Sequence, residues 1–332
     1  IRTGGHTAIA CGYVGTTVIE AVEAPENYDF LVLELSSFQL HWLQDSDFIA
    51  GAILNIAEDH LDWHGSLDAY AADKFSLLEK SNTAILNAED GRVVTHSAHW
   101  QGRKVFFSLD TPAPGEIGVV EELLVDRAFV SDPMEAAMIC ELKDITPTVP
   151  HNVSNALAAA GLARAINVSH EDIQKALQAF RPGRHRIEVI HEAGGITWVD
   201  DSKATNPHAT AASLMSHLSV VWIAGGLAKG ADMDSLIERC APRIKVAILV
   251  GEDRGLIEAA LIKYAPTIPR ILIDAPSDYT RGGESNSLME AVVSAASQHA
   301  QSGDAVLLAP ACASMDQFIS YADRGDRFAA AV

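Results

Sequence analysis

Short apolar runs rich in β-branched residues alternate along the chain with stretches of helical period. Residues 30–35, 51–56 and 83–87 read as buried strands, with an amphipathic helix over 67–80 between the second and third. A weaker, more acidic region from about 105 to 129 reads as a small antiparallel addition. Helices are predicted over 151–165 and 171–180, after which Arg181-Pro182-Gly183 breaks the pattern and marks a domain boundary. The alternation then restarts, with strands at 196–199, 220–224, 246–250, 271–273 and 305–308 and helices between them, the first near 209–216. This order predicts an α/β protein of two doubly wound units, 1–181 and 182–332, with ligands received at the carboxyl ends of the strands.

Several of those strand ends carry chemistry. Glu34 closes FLVLE and is followed by Ser36, Ser37 and Gln39. A carboxylate there suits a metal or phosphate site, although the same residues would also serve as a plain helix start. The next strand runs into AEDHLDWHG, which gathers Glu58, Asp59, His60, Asp62 and His64. That loop fits a Mg²⁺ site better than a zinc cage, since its spacing matches no closed set and no cysteine is near; its alternative is a solvated acidic loop. Lys74 lies on the helix that follows, where period alone would leave it on the solvent face beside Asp73 or Glu79. Asn152 and Asn155 open a helix in HNVSNALAAA, a position that ordinarily means capping.

Beyond the break, Arg181, Arg184, His185 and Arg186 gather positive charge that suits a polyphosphate, or equally a basic linker paired with surface carboxylates. WVDDSKATNPHAT ends a strand with Asp200, Asp201, Ser202, Lys203 and Thr205 before Pro207 opens a helix, which favours an anion or ribose contact. Lys229 sits in the Gly-rich turn GGLAKGAD, and Ser314 follows a strand in APACASMDQF. Neither is a dinucleotide fingerprint or a GxxxxGKS/T phosphate loop, which argues against a nicotinamide dehydrogenase.

Composition narrows the classes. With 44 acidic against 24 basic residues in 332 and a net charge of −20, the chain is a poor candidate for nucleic-acid binding. Four scattered cysteines form no CxxC pair and fit a reducing cytoplasm. No apolar run approaches the roughly 20 residues of a membrane helix. The chain opens at Ile1 in mid-pattern, which reads as the interior of a longer protein.

Taken in order, ELSSFQL, NIAEDHLDWHG, HNVSNALAA, HRIEV, DDSKATNPHAT, GGLAKGAD and PACASMDQF resemble the signatures of the Mur ligase family, and the first and last resemble its D-glutamate-adding branch. The resemblance runs from about Gly12 to Phe328. It implies a central ATP-binding domain over 1–181 and a carboxy-terminal Rossmann-like, amino-acid-binding domain over 182–332. The family's phosphate loop is expected upstream of Ile1, and Tyr13 stands where the family usually has an Asn. The implied activity is ATP-dependent ligation of D-glutamate to UDP-N-acetylmuramoyl-L-alanine through an acyl phosphate, with Mg²⁺, in a monomeric protein; the chain by itself is expected to be inactive.

By resemblance Glu34 and His60 are magnesium-site residues and Lys74 is a lysine carried as a carbamate, with Lys74, His60 and Arg186 the catalytic set. Ser36 and Gln39 match positions holding the muramoyl substrate, and Asn152, Asn155, His185, Arg186 and Asp201 the nucleotide-facing set. Lys203, Thr205, Lys229, Ser314 and Tyr321 match the region that receives D-glutamate. Rival readings are a sibling ligase with another acceptor, a folylpolyglutamate synthetase, and a non-catalytic ligand-binding fragment.

Overall fold

A computed structural model describes residues 1–132 and 134–332 and divides the chain into two compact units, Ile1–Arg181 and Pro182–Val332. The first unit opens with β1 (Ala8–Gly12), α1 (Val18–Glu23) and β2 (Phe30–Glu34), and the two strands pair in parallel as a separate two-stranded sheet. There follow α2 (Ser37–Trp42), β3 (Phe48–Ile53), α3 (Leu61–His64), α4 (Leu67–Glu79), β4 (Ser81–Asn87), α5 (Gly91–Ser97) and β5 (Arg103–Phe107). The unit closes with β6 (Ile117–Val120), β7 (Leu123–Asp126), β8 (Ala137–Glu141), α6 (Pro150–Ala165) and α7 (His170–Ala179).

Strands β3 to β8 form one six-stranded sheet in sequence order, parallel from β3 to β6 and antiparallel from β6 to β8. The antiparallel part is thus narrower than the expected 105–129 at its start, because β5 pairs in parallel with β4, and it continues to Glu141. Strand β4 shows why the sheet is a middle layer. Ile85 packs with Val105, Val153 and Leu157 beneath α6, whereas Ala84 and Leu86 face Tyr70, Ala71 and Leu78 of α4 and Val93 of α5. Alternation with period two sends successive side chains into two apolar cores. Truncating Leu157, which is fully buried, would cost about 2–5 kcal/mol.

Two strand expectations are corrected. The third strand begins at Phe48 and ends at Ile53, earlier than the expected 51–56, since Ile56 lies in the loop with its N–H held by Asp90. Strand β2 is not buried: among the described residues it pairs with β1 alone, and Leu31 and Val32 are 37% and 42% exposed.

The second unit runs β9 (Glu188–Ala193), β10 (Ile196–Asp200), α8 (Pro207–Met215), β11 (Val220–Gly225), α9 (Asp234–Cys240), β12 (Ile244–Val250) and α10 (Arg254–Tyr264). It ends with β13 (Arg270–Leu272), α11 (Ser287–His299), β14 (Ala305–Leu308) and α12 (Tyr321–Ala331). Its sheet has the order β13-β12-β11-β14-β10-β9, all parallel except the edge strand β9, which folds back on β10 through Gly194-Gly195. Sequence pattern missed β9 because four of its six residues are exposed and polar residues interrupt the apolar ones. Val220, Trp222 and Ala224 pack against α8, α9 and α10, and Val221 and Ile223 against α11 and α12. The carboxyl ends of β10, β11 and β14, three neighbouring strands, therefore open on one edge of the unit.

Candidate functional site

In the first unit Glu34, one of the expected metal residues, comes near Lys74 together with Asp59. Burial of its side chain lowers the Lys74 pKa, against the opposing pull of the Asp59 and Glu34 carboxylates, so both acids face this amine. Lys74 Nζ lies 5.4 Å from the centre of the Tyr70 ring, and burial with the Asp59 charge pushes the Tyr70 phenol up to about 12. Lys74 is thus half-buried against acids rather than on a solvent face with its neighbours. His60 is held in the left-handed region at φ 53 just before α3, its ring lies 4.8 Å from that of Phe38 in a tilted contact, and its Nε2 lies 3.6 Å from Asp59. A non-glycine residue is strained in that backbone conformation, which surrounding contacts must hold. Glu34, Asp59 and Lys74 are thus neighbours, whereas among the described residues Glu34, Asp59 and His60 do not come close enough together to share one ion in this structure.

Ser36 and Gln39 engage each other. The Ser36 hydroxyl accepts from the Gln39 N–H, and Gln39 Oε1 accepts from the Ser36 N–H at 2.9 Å, a reciprocal cap on α2. The adjacent Ser37 begins a chain that pattern reading missed. Its Oγ lies 2.9 Å from His64 Nε2, His64 Nδ1 lies 2.9 Å from Asp73 Oδ2, and Asp73 Oδ1 also accepts from His41 Nδ1 at 2.9 Å. This Ser-His-Asp order is that of an activated nucleophile, but Ser37 is 2% exposed and has no access to a substrate. The chain instead ties α2, which carries Gln39, to α4, which carries Lys74. Asn152 donates to the Pro147 carbonyl at 3.1 Å rather than capping the helix, which starts earlier at Pro150, and Asn155 is exposed on α6.

In the second unit the basic cluster disperses. Arg184 pairs with Asp326 at 2.7 Å, the bland alternative for that residue, and Arg181, which belongs to the first unit, donates to carbonyls of its own helix end. Arg186 remains exposed and its charge reaches Asp201. Burial pushes the Asp201 carboxyl up to about 6, with the Asp200 charge adding to it and Arg186 opposing. His185 is buried, and its Nδ1 donates to Asp200 Oδ2 at 2.6 Å, which fixes the ring's tautomer and leaves Nε2 as its outer atom. Among the described residues His185, Glu188 and Asp200 are the trio of His, Asp or Glu side chains close enough to share an ion, but these groups already satisfy one another.

The residues expected to receive an amino acid fall into two groups in the second unit, Lys203 with Thr205 and Tyr321, and the Lys229 turn beside Ser314. Lys203 Nζ sits 4.0 Å above the Tyr321 ring, and the Thr205 N–H bonds the Lys203 carbonyl at 2.8 Å. Lys229 is exposed at φ 51 on a turn held by paired bonds between Leu227 and Ala313, one residue before Ser314. Asp253 pins the same turn through the Ala228 N–H. Ser314 itself is buried, with its carbonyl capping the turn to Phe318. The two groups of residues follow the carboxyl ends of the neighbouring strands β10, β11 and β14.

Comparison with known proteins agrees with the fold. Residues 14–163 match the Mur ligase middle domain, and residues 185–312 match the Mur ligase, glutamate ligase domain. The UDP-N-acetylmuramoylalanine--D-glutamate ligase of Streptomyces coelicolor is 46% identical over 338 residues, covering 100% of this chain and 70% of that protein. A pseudomurein peptide ligase type C from Methanothermus fervidus superposes with a TM-score of 0.67 at 16% identity, over 99% of this chain and 73% of that one. The MurF ligase of Thermotoga maritima in complex with ADP gives a TM-score of 0.63 at 15% identity, over 98% and 73% of the two chains. With both domains matched in order and identity held across its whole length, this chain belongs to the Mur ligase family.

Proposed function

We propose that the chain takes part in joining D-glutamate to UDP-N-acetylmuramoyl-L-alanine at the expense of ATP, in the cytoplasm, during peptidoglycan precursor synthesis. The observation that carries this reading is identity of 42–48% over 99–100% of the chain to relatives named for that reaction. Among the described residues no helix is long and apolar enough to cross a membrane.

In this reading the γ-phosphoryl group of ATP passes to the carboxylate of the muramoyl-alanine substrate, and ADP leaves. The D-glutamate nitrogen then attacks the acyl carbon, the carbon–oxygen bond to phosphate breaks, and the amine proton is lost. Glu34, His60 and a carbamylated Lys74 would hold Mg²⁺, which neutralises crowded phosphate charge when bound. A lysine of lowered pKa offers the unprotonated amine that carbamate formation requires. Arg186, with Asp201 and His185, faces the nucleotide and clamps phosphate oxygens. Ser36 and Gln39 orient the muramoyl substrate, Asn152 and Asn155 the nucleotide. Lys203 and Lys229, with Thr205, Ser314 and Tyr321, hold the two carboxylates of D-glutamate.

The test is phosphate release with ATP, Mg²⁺ and UDP-N-acetylmuramoyl-L-alanine, comparing D-glutamate with L-alanine and diaminopimelate. It is run on this chain and on a protein of the relatives' length in which this chain replaces the matching part of the Streptomyces coelicolor relative. Turnover that depends on D-glutamate supports the reading, and a preference for another acceptor overturns it.

A further inference from the structure

The largest buried polar side chain of the second unit belongs to no set described so far. Arg324, on α12, is 2% exposed, yet among the described residues its guanidinium hydrogen-bonds no carboxylate, the Asp316 and Asp200 charges acting on it without such a bond. Its Nε donates to Ser202 Oγ and its Nη2 to the Ser202 carbonyl, each at 2.9 Å. Both terminal nitrogens reach the Cys312 carbonyl, at 3.2 and 3.3 Å, and Nη1 also reaches the Gly225 carbonyl at 3.4 Å. The five N–H donors of an arginine are thereby matched by five contacts to neutral oxygens. Burying a guanidinium in this way is costly, and the site retains it by supplying full hydrogen bonding.

What these oxygens have in common is their place in the chain. Ser202 follows β10 and directly precedes Lys203. Gly225 ends β11 and leads into the turn bearing Lys229. Cys312 follows β14 and lies two residues before Ser314. Ser202 Oγ in turn donates to the Tyr321 carbonyl at 2.7 Å, closing the circuit on the first turn of Arg324's own helix. The same edge concentrates backbone strain: His185, Ile187, Lys229 and Ala311 are the non-glycine residues of this unit described with positive φ. Such conformations persist where surrounding contacts over-determine them.

We propose that Arg324 is the positioning residue of the acceptor site, fixing the separation of Lys203, Lys229 and Ser314 and so the length of dicarboxylate accepted. The inference rests on the acceptor reading above. A rigid root beneath each loop holds the two ammonium groups at one spacing, and a site of fixed spacing rejects an acceptor one methylene shorter.

The experiment uses the chain at the relatives' length and measures KM for D-glutamate, ATP and the muramoyl substrate, together with the kcat/KM ratio of D-glutamate to D-aspartate. The variants are Arg324→Lys and the milder Ser202→Ala, which keeps the guanidinium and removes one of its acceptors. In folded variants KM for D-glutamate should rise on the order of 10- to 100-fold, the other two KM values should hold within about two-fold, and discrimination against D-aspartate should fall. A folded Ser202→Ala with unchanged KM for D-glutamate and unchanged discrimination overturns the proposal, as does an equal rise in all three KM values. Should Arg324→Lys fail to fold, Ser202→Ala decides. If the parent protein shows no preference for D-glutamate, the acceptor reading falls and takes this inference with it. If the parent and Lys229→Ala behave as that reading requires while Ser202→Ala matches the parent, the positioning role alone is wrong.

Discussion

His185 donates from Nδ1 to Asp200 Oδ2 at 2.6 Å, and Gly325 closes over the pair with no room for a side chain. A Cβ at Gly325 would lie 2.6 Å from Asp200 Oδ2 and closer still to His185 Nδ1. Gly325→Ala should therefore break the His185–Asp200 bond and cost about 1–3 kcal/mol of stability. Chemical denaturation measures the stability loss, and the histidine NMR resonances report the tautomer. An unchanged His185 signal in a folded variant would show that the helix yields instead of the pair.

Lys229 occupies φ 51, a conformation that glycine adopts freely and other residues do not. Lys229→Gly relieves that strain while deleting the ammonium, and Lys229→Ala deletes it alone. Both should raise KM for D-glutamate about ten-fold or more and leave KM for ATP within about two-fold, the loss expected for one charge-assisted hydrogen bond. Lys229→Gly should be at least as stable as the parent. Equal weakening of both ligands in steady-state kinetics would remove Lys229 from the acceptor site.

The two-unit α/β order and most strand positions were legible because buried parallel strands leave compact apolar runs, as Ile244–Val250 and Val220–Gly225 do. Strand β9 was not, since an edge strand with a wet face carries no such run. Candidate site residues stand out in the sequence where a strand end meets unusual chemistry, as at Asp201 and Lys203. Their supports were not. Arg324 lies in YADRGDRF among other charges, and Asp73 reads as a surface partner of Lys74. Which charges turn inward is decided by helices meeting far-off segments, as when Arg324 reaches Ser202 across 122 positions. Periodicity within one helix carries no trace of that.

Asp201 gives a pH signature. Its carboxyl is pushed up to about 6, chiefly by burial, from an ordinary 3.8. A folded-state pKa above the unfolded one means the folded form binds the proton more tightly. The benefit is full below about pH 3.8 and is lost as pH rises through about 6. Ionised Asp201 therefore costs the second unit at most about 3 kcal/mol at neutral pH, since each tenfold change in proton affinity is worth roughly 1.4 kcal/mol. Asp201→Asn should raise the melting temperature at pH 7.5 and have little effect near pH 4, while ATP binding weakens. A variant equally stabilised at both pH values would mean that ionisation is not the cause.

The Ser37–His64–Asp73 chain has the order of a hydrolase triad without the opening one needs. His64 is enclosed with Ser37, and its two nitrogens are used at 2.9 Å on each side. A fluorophosphonate probe should therefore leave Ser37 unlabelled in the native protein. Its mechanical role makes the opposite demand: His64→Ala leaves the Ser37 hydroxyl and one Asp73 oxygen without their buried partner and opens a cavity among Phe38, Trp63 and Tyr70. The expected loss is about 2–4 kcal/mol, because an unpaired buried acceptor is penalised more than a hydrogen bond is rewarded. His64→Gln, which can still donate to Asp73, should recover part of it. Labelling of Ser37 by the probe, or a His64→Ala protein as stable as the parent, would show that these groups do not brace α2 against α4.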